Sequence, residues 1–404
     1  MDKRIQHYFK LIFALFLIIN FSFAENAPKR VILNLTENPN SEMAVTWRTC
    51  EPVDKAVVQL TKANPSIDLE TTATTLTANT EKLTINEDKT VYYHSIILKD
   101  LTSATTYAYR VGDGDIWSEW NHFETASKED DPFEFVYLGD VQNGILTMTS
   151  RVLRTAYKTA PNADFWFHAG DIINHGGSDA EWQEYFNAIG WIPRTTPMIY
   201  LPGNHEYPRK ILKGIKSREL DHIWRPQFTL PENGVEGLEE TNYVIDYQGI
   251  RFITLNGSKK IAEQAKWLKK ILADNPQKWT FVSIHQPFYS TAQGRDSQER
   301  RDLFLPIFDK YNVDMVLQGH DHAYGRTYKM RNNKIVKKNE PGTYYVVSVV
   351  GVKVYDMKEE NRKIMAKMVN GKQLFQVISV DTDKLTYKSY DATGDLFDSF
   401  EIVK

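Results

Sequence analysis

The sequence predicts an N-terminal all-β sandwich followed by an α/β domain. Over residues 26–125, short runs rich in β-branched and aromatic residues recur with no helical periodicity between them. From Phe133 onward, apolar runs alternate with amphipathic helical segments, the pattern of an α/β domain. Between the two, Ala126-Ser127-Lys128-Glu129-Asp130-Asp131-Pro132 is polar and ends in proline, and reads as a linker.

The first 24 residues read as a targeting segment rather than as part of the fold. Lys3, Arg4 and Lys10 make a basic start, Leu11 to Phe23 is apolar, and Ser22-Phe23-Ala24 offers small residues for cleavage before Glu25. An uncleaved anchor is the weaker reading, because the apolar run falls short of the ~18–20 residues a span needs. The mature protein is expected to be exported, secreted or periplasmic, with no membrane span.

In the first domain the expected strands are Val31–Leu35, Met43–Arg48, Ala56–Leu60, Tyr92–Leu98, Thr106–Val111 and Trp117–Glu124. Met43-Ala44-Val45-Thr46-Trp47 alternates in period two. In the second domain, Ser178-Asp179-Ala180-Glu181 is a capping box, and Trp182, Tyr185, Phe186 and Ile189 behind it share a helix face. Ala262–Ala273 and Gln298–Tyr311 repeat the helical pattern, the latter interrupted by Pro306. The tail returns to strands at Thr343–Val350, Leu374–Val380, Leu385–Tyr390 and Leu396–Val403, the last two joined by the turn Asp391-Ala392-Thr393-Gly394-Asp395.

Composition narrows the function. The chain has 404 residues and a net charge of −3, with 49 Lys+Arg against 52 Asp+Glu, so no basic field marks nucleic acid as a main partner. The single cysteine, Cys50, excludes an intramolecular disulfide framework and a thiolate-rich zinc site. Any metal must be held by His, Asp, Glu or Asn.

Five apolar runs end in such residues. Phe135–Leu138 runs into Gly139-Asp140, and Phe165–Ala169 into Gly170-Asp171. Met198–Pro202 runs into Gly203-Asn204-His205-Glu206, Trp279–Ile284 into His285, and Val313–Gln318 into Gly319-His320-Asp321-His322. Sites in open α/β sheets form at the carboxyl ends of strands, so five such ends in one layer would converge. A lone Gly-Asp is ordinarily a turn; five endings in series are not explained by turns alone. Asp, Asn and His suit Fe, Mn or Zn. Six candidate ligands are too many for one catalytic ion and suit two ions about 3.5–4 Å apart. One carboxylate must then bridge. His320 and His322 lie two apart on an extended segment, so one can serve each ion.

These blocks resemble the calcineurin-type metallophosphoesterases, whose pattern is Asp, Gly-Asp, Gly-Asn-His-Asp/Glu, His and Gly-His-x-His; the order and gaps fit residues 133–325. Upstream, Tyr93-His94, Leu98-Lys99-Asp100-Leu101, Tyr107–Gly112 and Phe123-Glu124-Thr125 resemble the fibronectin type III-like module that precedes purple acid phosphatases. Thr393-Gly394 resembles that group's closing hairpin. After the signal peptide read over 1–24, the resemblance implies a fibronectin III-like sandwich over 26–125 and a metallophosphoesterase domain over 133–404 with a central β-sandwich flanked by helices.

The roles implied are specific. Asp171 resembles the bridging carboxylate. Asp140 and His322 would hold the first metal, and Asn204, His285 and His320 the second. His205 would contact the phosphate and assist the leaving oxygen, and Glu206 would orient or tune it. Two departures stand out. The tyrosine of the purple acid phosphatase second block, Gly-Asp-x-x-Tyr, is replaced in Gly170-Asp171-Ile172-Ile173-Asn174 by Asn174, and the histidine that other members carry two residues after the first Asp is Gln142. Asn174 and Gln142 are either neutral ligands or hydrogen-bond partners of ligands. His168, His175, Tyr207 and Arg326 are candidate substrate contacts, as are Tyr289 and Tyr324, all close in sequence to ligands; Arg295 could bind phosphate.

The function so implied is a two-metal phosphoester hydrolase acting on a small-molecule phosphomonoester. A diester or nucleotide is the alternative substrate. A binding module with a degenerate metal site is the non-enzyme alternative.

Overall fold

The computed structural model describes residues 27–212 and 215–404; the targeting segment expected over 1–24 lies outside them. The first domain pairs two antiparallel sheets. One runs Lys29–Asn34, Met43–Thr49, Lys89–Leu98, Asn79–Asn86; the other runs Thr74–Thr77, Val57–Lys62, Thr106–Gly112, Asn121–Glu124. Thr74–Thr77 and Asn79–Asn86 are not marked by apolar alternation, because they are edge strands with mostly exposed side chains. Among the described residues, no helix is long and apolar enough to cross a membrane.

Met43–Thr49 is buried at every position. Trp47 packs on His94, while the opposite face carries Thr46, hydrogen-bonded to Thr229 at 2.8 Å, and Arg48, bonded to Asp179 at 2.6 Å. Successive strand residues point to opposite faces. The polar positions of this alternating strand therefore face the second domain rather than solvent.

The same sheet continues into the second domain. Asn34 pairs in parallel register with Met198, and the order goes on through Met198–Tyr200, Phe165–His168, Phe133–Leu138, Leu374–Asp381, Lys384–Asp391 and Leu396–Val403. A second, seven-stranded sheet runs Tyr243–Tyr247, Ile250–Leu255, Trp279–Ile284, Met315–Gln318, Tyr344–Val347, Ala323–Thr327, Met365–Asn370. Aromatic rings fill the space between the sheets: Phe135 lies 5.9 Å from Phe281 and Phe167 lies 4.9 Å from Phe252. Helices Ile261–Ala273 and Gln298–Tyr311 cover the outer face of the seven-stranded sheet, burying Leu268, Phe304 and Phe308 with Ile253, Val282 and Val316. The second helix runs unbroken through Pro306. The proline lies on the exposed side, where the Asp302 carbonyl deprived of its partner meets water. Ser178 caps the helix Asp179–Ile189, accepting from the Glu181 N–H at 3.3 Å.

Candidate metal centre

Three parallel strands of one sheet and two of the other deliver their C-terminal ends to one edge of the central sandwich. Asp140, Asp171, His285, His320 and His322 meet there. One ligand atom each from Asp171, His285 and His320 lies within 4.8 Å of the others, and the same holds for Asp140, Asp171 and His322. Asp171 is common to both groups. It is 1% exposed, and its Oδ2 stands 3.0 Å from His285 Nε2 and 3.2 Å from Gln142 Nε2.

The backbone is bent to achieve this. Asp140, Asp171, His320 and His322 all adopt positive φ, at 47°, 50°, 80° and 49°. Side chains rarely sit there unless the surroundings over-determine them, and such strain gathers at functional sites. The flanking glycines follow from close approach. A Cβ on Gly203 would lie 2.1 Å from Asp171 Oδ1, and one on Gly319 would lie 2.5 Å from Asp140 Oδ2.

Hydrogen bonds orient the ligand atoms. His285 Nδ1 contacts the Ala169 carbonyl at 2.7 Å, which presents Nε2 to Asp171. His320 N–H donates to Asp140 Oδ2. Burial and the nearby His285 act in opposite directions on Asp140, and burial wins, holding its carboxyl well above the usual range. Asp171 is equally buried, yet His285 and His205 hold it below. Burial opposes protonation of His285, but Asp171 prevails and raises it to about 9. Burial drops His322 to about 3, with Lys353 adding to the effect. Asp140 Oδ1, Gln142 Oε1, Asn204 Oδ1 and His322 Nδ1 are all buried without a hydrogen-bond partner, an arrangement that fits cations. Asp140, Gln142 and His322 could hold one cation, Asn204, His285 and His320 another, with Asp171 between.

His205 sits at the rim, its ring a quarter exposed, with Nε2 3.9 Å from Asp171 Oδ2. Its Nδ1 contacts the Asn174 carbonyl at 2.5 Å. Glu206 does not orient the His205 ring: its carboxylate accepts the N–H groups of Gly203, Asp171, Ile172 and Ile173 at 2.7, 3.0, 2.8 and 3.3 Å. It ties two ligand loops together. Burial and Asp171 push it up to about 7, and the amides pull against them. The Asn174 side-chain amide turns to the exposed His175 ring, so only its carbonyl serves the centre. His175 itself pairs with Glu181 at 2.5 Å.

His168 is not a substrate contact. It is buried, hydrogen-bonded to Tyr185 at 3.0 Å and stacked on Tyr200. Phe167 faces the other sheet, and strand alternation turns His168 the opposite way, toward the helix Asp179–Ile189. Tyr207 points inward to Asn256 at 2.5 Å. Arg326 forms a two-pronged bond with Asp398, joined there by Tyr324, and anchors the C-terminal hairpin. Tyr289 bonds to Asn333 at 2.8 Å. Arg295 donates to the His320 carbonyl and to Asp321 Oδ1, and its guanidinium lies 4.6 Å over the Tyr355 ring. Tyr355, which no motif marked, stands edge-on to His322 at 5.0 Å.

Fold and centre together define a metallophosphoesterase. Residues 133–324 match the calcineurin-like phosphoesterase family and residues 28–125 the purple acid phosphatase N-terminal domain. The chain thus joins a purple acid phosphatase N-terminal domain to a calcineurin-like phosphoesterase domain, and the relatives it is similar to are purple acid phosphatases. It is 24% identical to purple acid phosphatase 5 of Arabidopsis thaliana over 76% of this chain and 72% of that one. It is likewise 24% identical to Fe(3+)-Zn(2+) purple acid phosphatase 12 of the same plant, over 76% and 66%. A third Arabidopsis relative, 25% identical over 80% and 60%, is named probable inactive purple acid phosphatase 24. The chain thus spans 60–72% of the length of these relatives. The purple acid phosphatase from yellow lupin (Lupinus luteus) seeds shares the fold, with a TM-score of 0.81 at 20% identity over 94% of this chain and 74% of that one.

Proposed function

We propose that the protein is an exported two-metal phosphoester hydrolase that acts on phosphomonoesters. The observation that carries this is the single buried carboxylate, Asp171, shared by two three-residue ligand groups. Asp140, Asp171 and His322, with Gln142 beside them, would hold one ion; Asp171, Asn204, His285 and His320 would hold the other. Fe, Mn and Zn suit these donors. Two such cations supply Lewis acidity toward the phosphoryl oxygens and lower the pKa of bound water.

The chain's own residues do the rest. Asp171, common to both ligand groups, would offset the repulsion between two bound cations with its negative charge. His285 is fixed in one orientation by the Ala169 carbonyl. His205, with Nδ1 engaged by the Asn174 carbonyl, presents Nε2 toward the cluster. In its charged form that nitrogen holds a proton for the leaving oxygen. Glu206 keeps the Asp171 and Asn204 loops in register through four backbone amides.

The test is phosphate chemistry on protein purified without chelator. Metal analysis should give two ions per chain, and p-nitrophenyl phosphate should be hydrolysed faster than its bis-ester. Faster bis-ester hydrolysis would move the assignment to phosphodiesters. Full metal occupancy with turnover of neither would favour a binding protein, as the name of the inactive relative invites.

A further inference from the structure

Beside the centre lies a cavity of about 340 Å³, bounded by the start of the helix Ser150–Thr159, the segment 351–354 and the turns at Gly371 and Asp391. Its inner wall is tied to the metal-ligand loop. The Gly351 N–H donates to the Asp140 carbonyl at 2.7 Å, and a Cβ on Gly351 would lie 2.6 Å from that oxygen.

Three cations line this cavity: Arg151, Lys353 and Lys372. Among the described residues, the hydrogen-bond partner of Arg151 is a neutral one, Gln373 Oε1, at 3.2 and 2.7 Å. The one carboxylate in the lining, Asp391, has its Oδ1 taken up by Thr393 N, Thr393 Oγ1 and Asp395 N within its own turn. Three positive charges against one leave the cavity cationic by two. Beside Gln373 and Thr393 the lining also carries exposed apolar side chains, Met148, Val352 and Val354, at 40%, 37% and 50% exposure.

Tyr355 and Lys353 connect this lining to the ligands. Tyr355 stands edge-on to His322 at 5.0 Å, and Lys353 lies 5.1 Å from the Tyr355 ring centre. An excess of two cations matches a phosphate dianion, and the arginine fork suits a tetrahedral oxyanion while lysine adds point charge. The exposed apolar side chains suit a short organic spacer between two charged ends.

We infer that this cavity is a second-phosphate subsite: the substrate is a small organic molecule with two phosphate groups, one cleaved at the metal centre and the other held by Arg151, Lys353 and Lys372. This rests on the hydrolase reading above. It goes further in assigning the substrate class and three residues that determine specificity.

The experiment uses the full, metal-loaded chain and a series of alkanediol bisphosphates, from two to six carbons, beside the matching monophosphates. Phosphate release should favour the bisphosphate by at least tenfold in kcat/KM at one optimal length. The gain should fall on KM and shrink with added salt. Replacing Arg151→Gln and Lys372→Gln together should cut that preference at least tenfold. Equal kcat/KM for the two series at every length would overturn the subsite. So would a preference that survives the double substitution. If no substrate releases phosphate, the hydrolase reading itself fails. Calorimetric binding of butane-1,4-bisphosphonate against butylphosphonate then still decides the subsite: tighter binding of the bisphosphonate supports it, and equal affinities overturn it.

Discussion

Arg48 of the N-terminal sandwich donates from Nη1 to Oδ1 of Asp179 at 2.6 Å. Arg30 Nη2 reaches the same oxygen at 2.8 Å, and the half-exposed Lys89 reaches the other at 2.6 Å. Asp179 opens the helix whose Glu181 accepts the backbone N–H groups of Asn174 and His175 at 2.7 and 2.9 Å. The contact between domains therefore lies in the same first helical turn as the contact with the loop that supports His205.

Asp179→Ala should destabilise the protein by about 3–5 kcal/mol in denaturant unfolding, because two buried arginines lose their carboxylate. The pH dependence has a definite sign. Burial raises the Asp179 pKa, but Arg30 and Arg48 outweigh it and hold the carboxyl at about 2, below its usual 3.8. A depressed folded-state pKa contributes stability above the unfolded value that is lost as pH falls through the folded one. The stability gap between wild type and Asp179→Asn should therefore narrow between about pH 4 and pH 2. A gap constant over that window would show that the arginines do not act through the Asp179 charge.

The sequence reveals the metal-ligand positions and conceals the direction of their neighbours. Asp140, Asp171, His285, His320 and His322 are readable because each follows an apolar run, and a parallel strand has only one C-terminal end. His168, Tyr207 and Arg326 are as close in sequence but point into packing: alternation along a strand turns His168 and Arg326 away from the centre, and the loop after Met198–Tyr200 turns Tyr207 inward to Asn256. The strand Ile250–Leu255 and the Asn34–Met198 pairing are also hidden. One is an apolar run without a ligand at its end; the other is a contact between residues 164 positions apart. Glu206 is marked as important by its motif, but its four amide partners become visible only when the loops are folded against each other.

Asp171→Ala should abolish hydrolysis and remove more than one site's worth of metal, because both ligand groups lose their common member. Gly203→Ala should produce a partial version of this, since its Cβ would fall 2.1 Å from Asp171 Oδ1. Elemental analysis after desalting reads both. Retention of two metals by Asp171→Ala would show that the ions do not share that carboxylate.

Glu206→Ala leaves four buried N–H groups without an acceptor. At about 1–3 kcal/mol for each unsatisfied buried group, the variant should be severely destabilised. Glu206→Gln keeps one acceptor oxygen and sets a donor against the remaining amides, so it should fold with a lower midpoint and hold metal less tightly. A variant with wild-type stability and metal content but lost turnover would return Glu206 to direct chemistry.

His205→Ala should keep both metals and lose about 10²–10⁴ in turnover, the range for a missing acid–base group. The loss should be smaller for p-nitrophenyl phosphate, whose leaving group needs little protonation, than for an alkyl phosphate. Equal losses on both substrates would leave His205 with phosphate positioning alone.

Colour gives the last test of the metal assignment. The purple of the related phosphatases arises when a tyrosinate donates charge to ferric iron, and Asn174 stands at that tyrosine's place. Its amide turns to His175 rather than to the cluster. Neutral Gln142 instead reaches Asp171 and His322, at 3.2 Å from each. Neither amide supplies a charge-transfer band, and neither stabilises a ferric ion as a phenolate does. Nearby tyrosine hydroxyls are already committed: Tyr207 to Asn256, Tyr289 to Asn333, and Tyr137 to the Gln318 carbonyl. Tyr355 stands edge-on to His322. The iron-loaded protein should therefore be colourless or faintly yellow, and divalent ions should suffice for turnover. An absorption spectrum decides it. A strong visible band that vanishes in Tyr355→Phe would mean that the chain has rebuilt the chromophore from another strand, and Tyr355 would then join the ligands of the first metal.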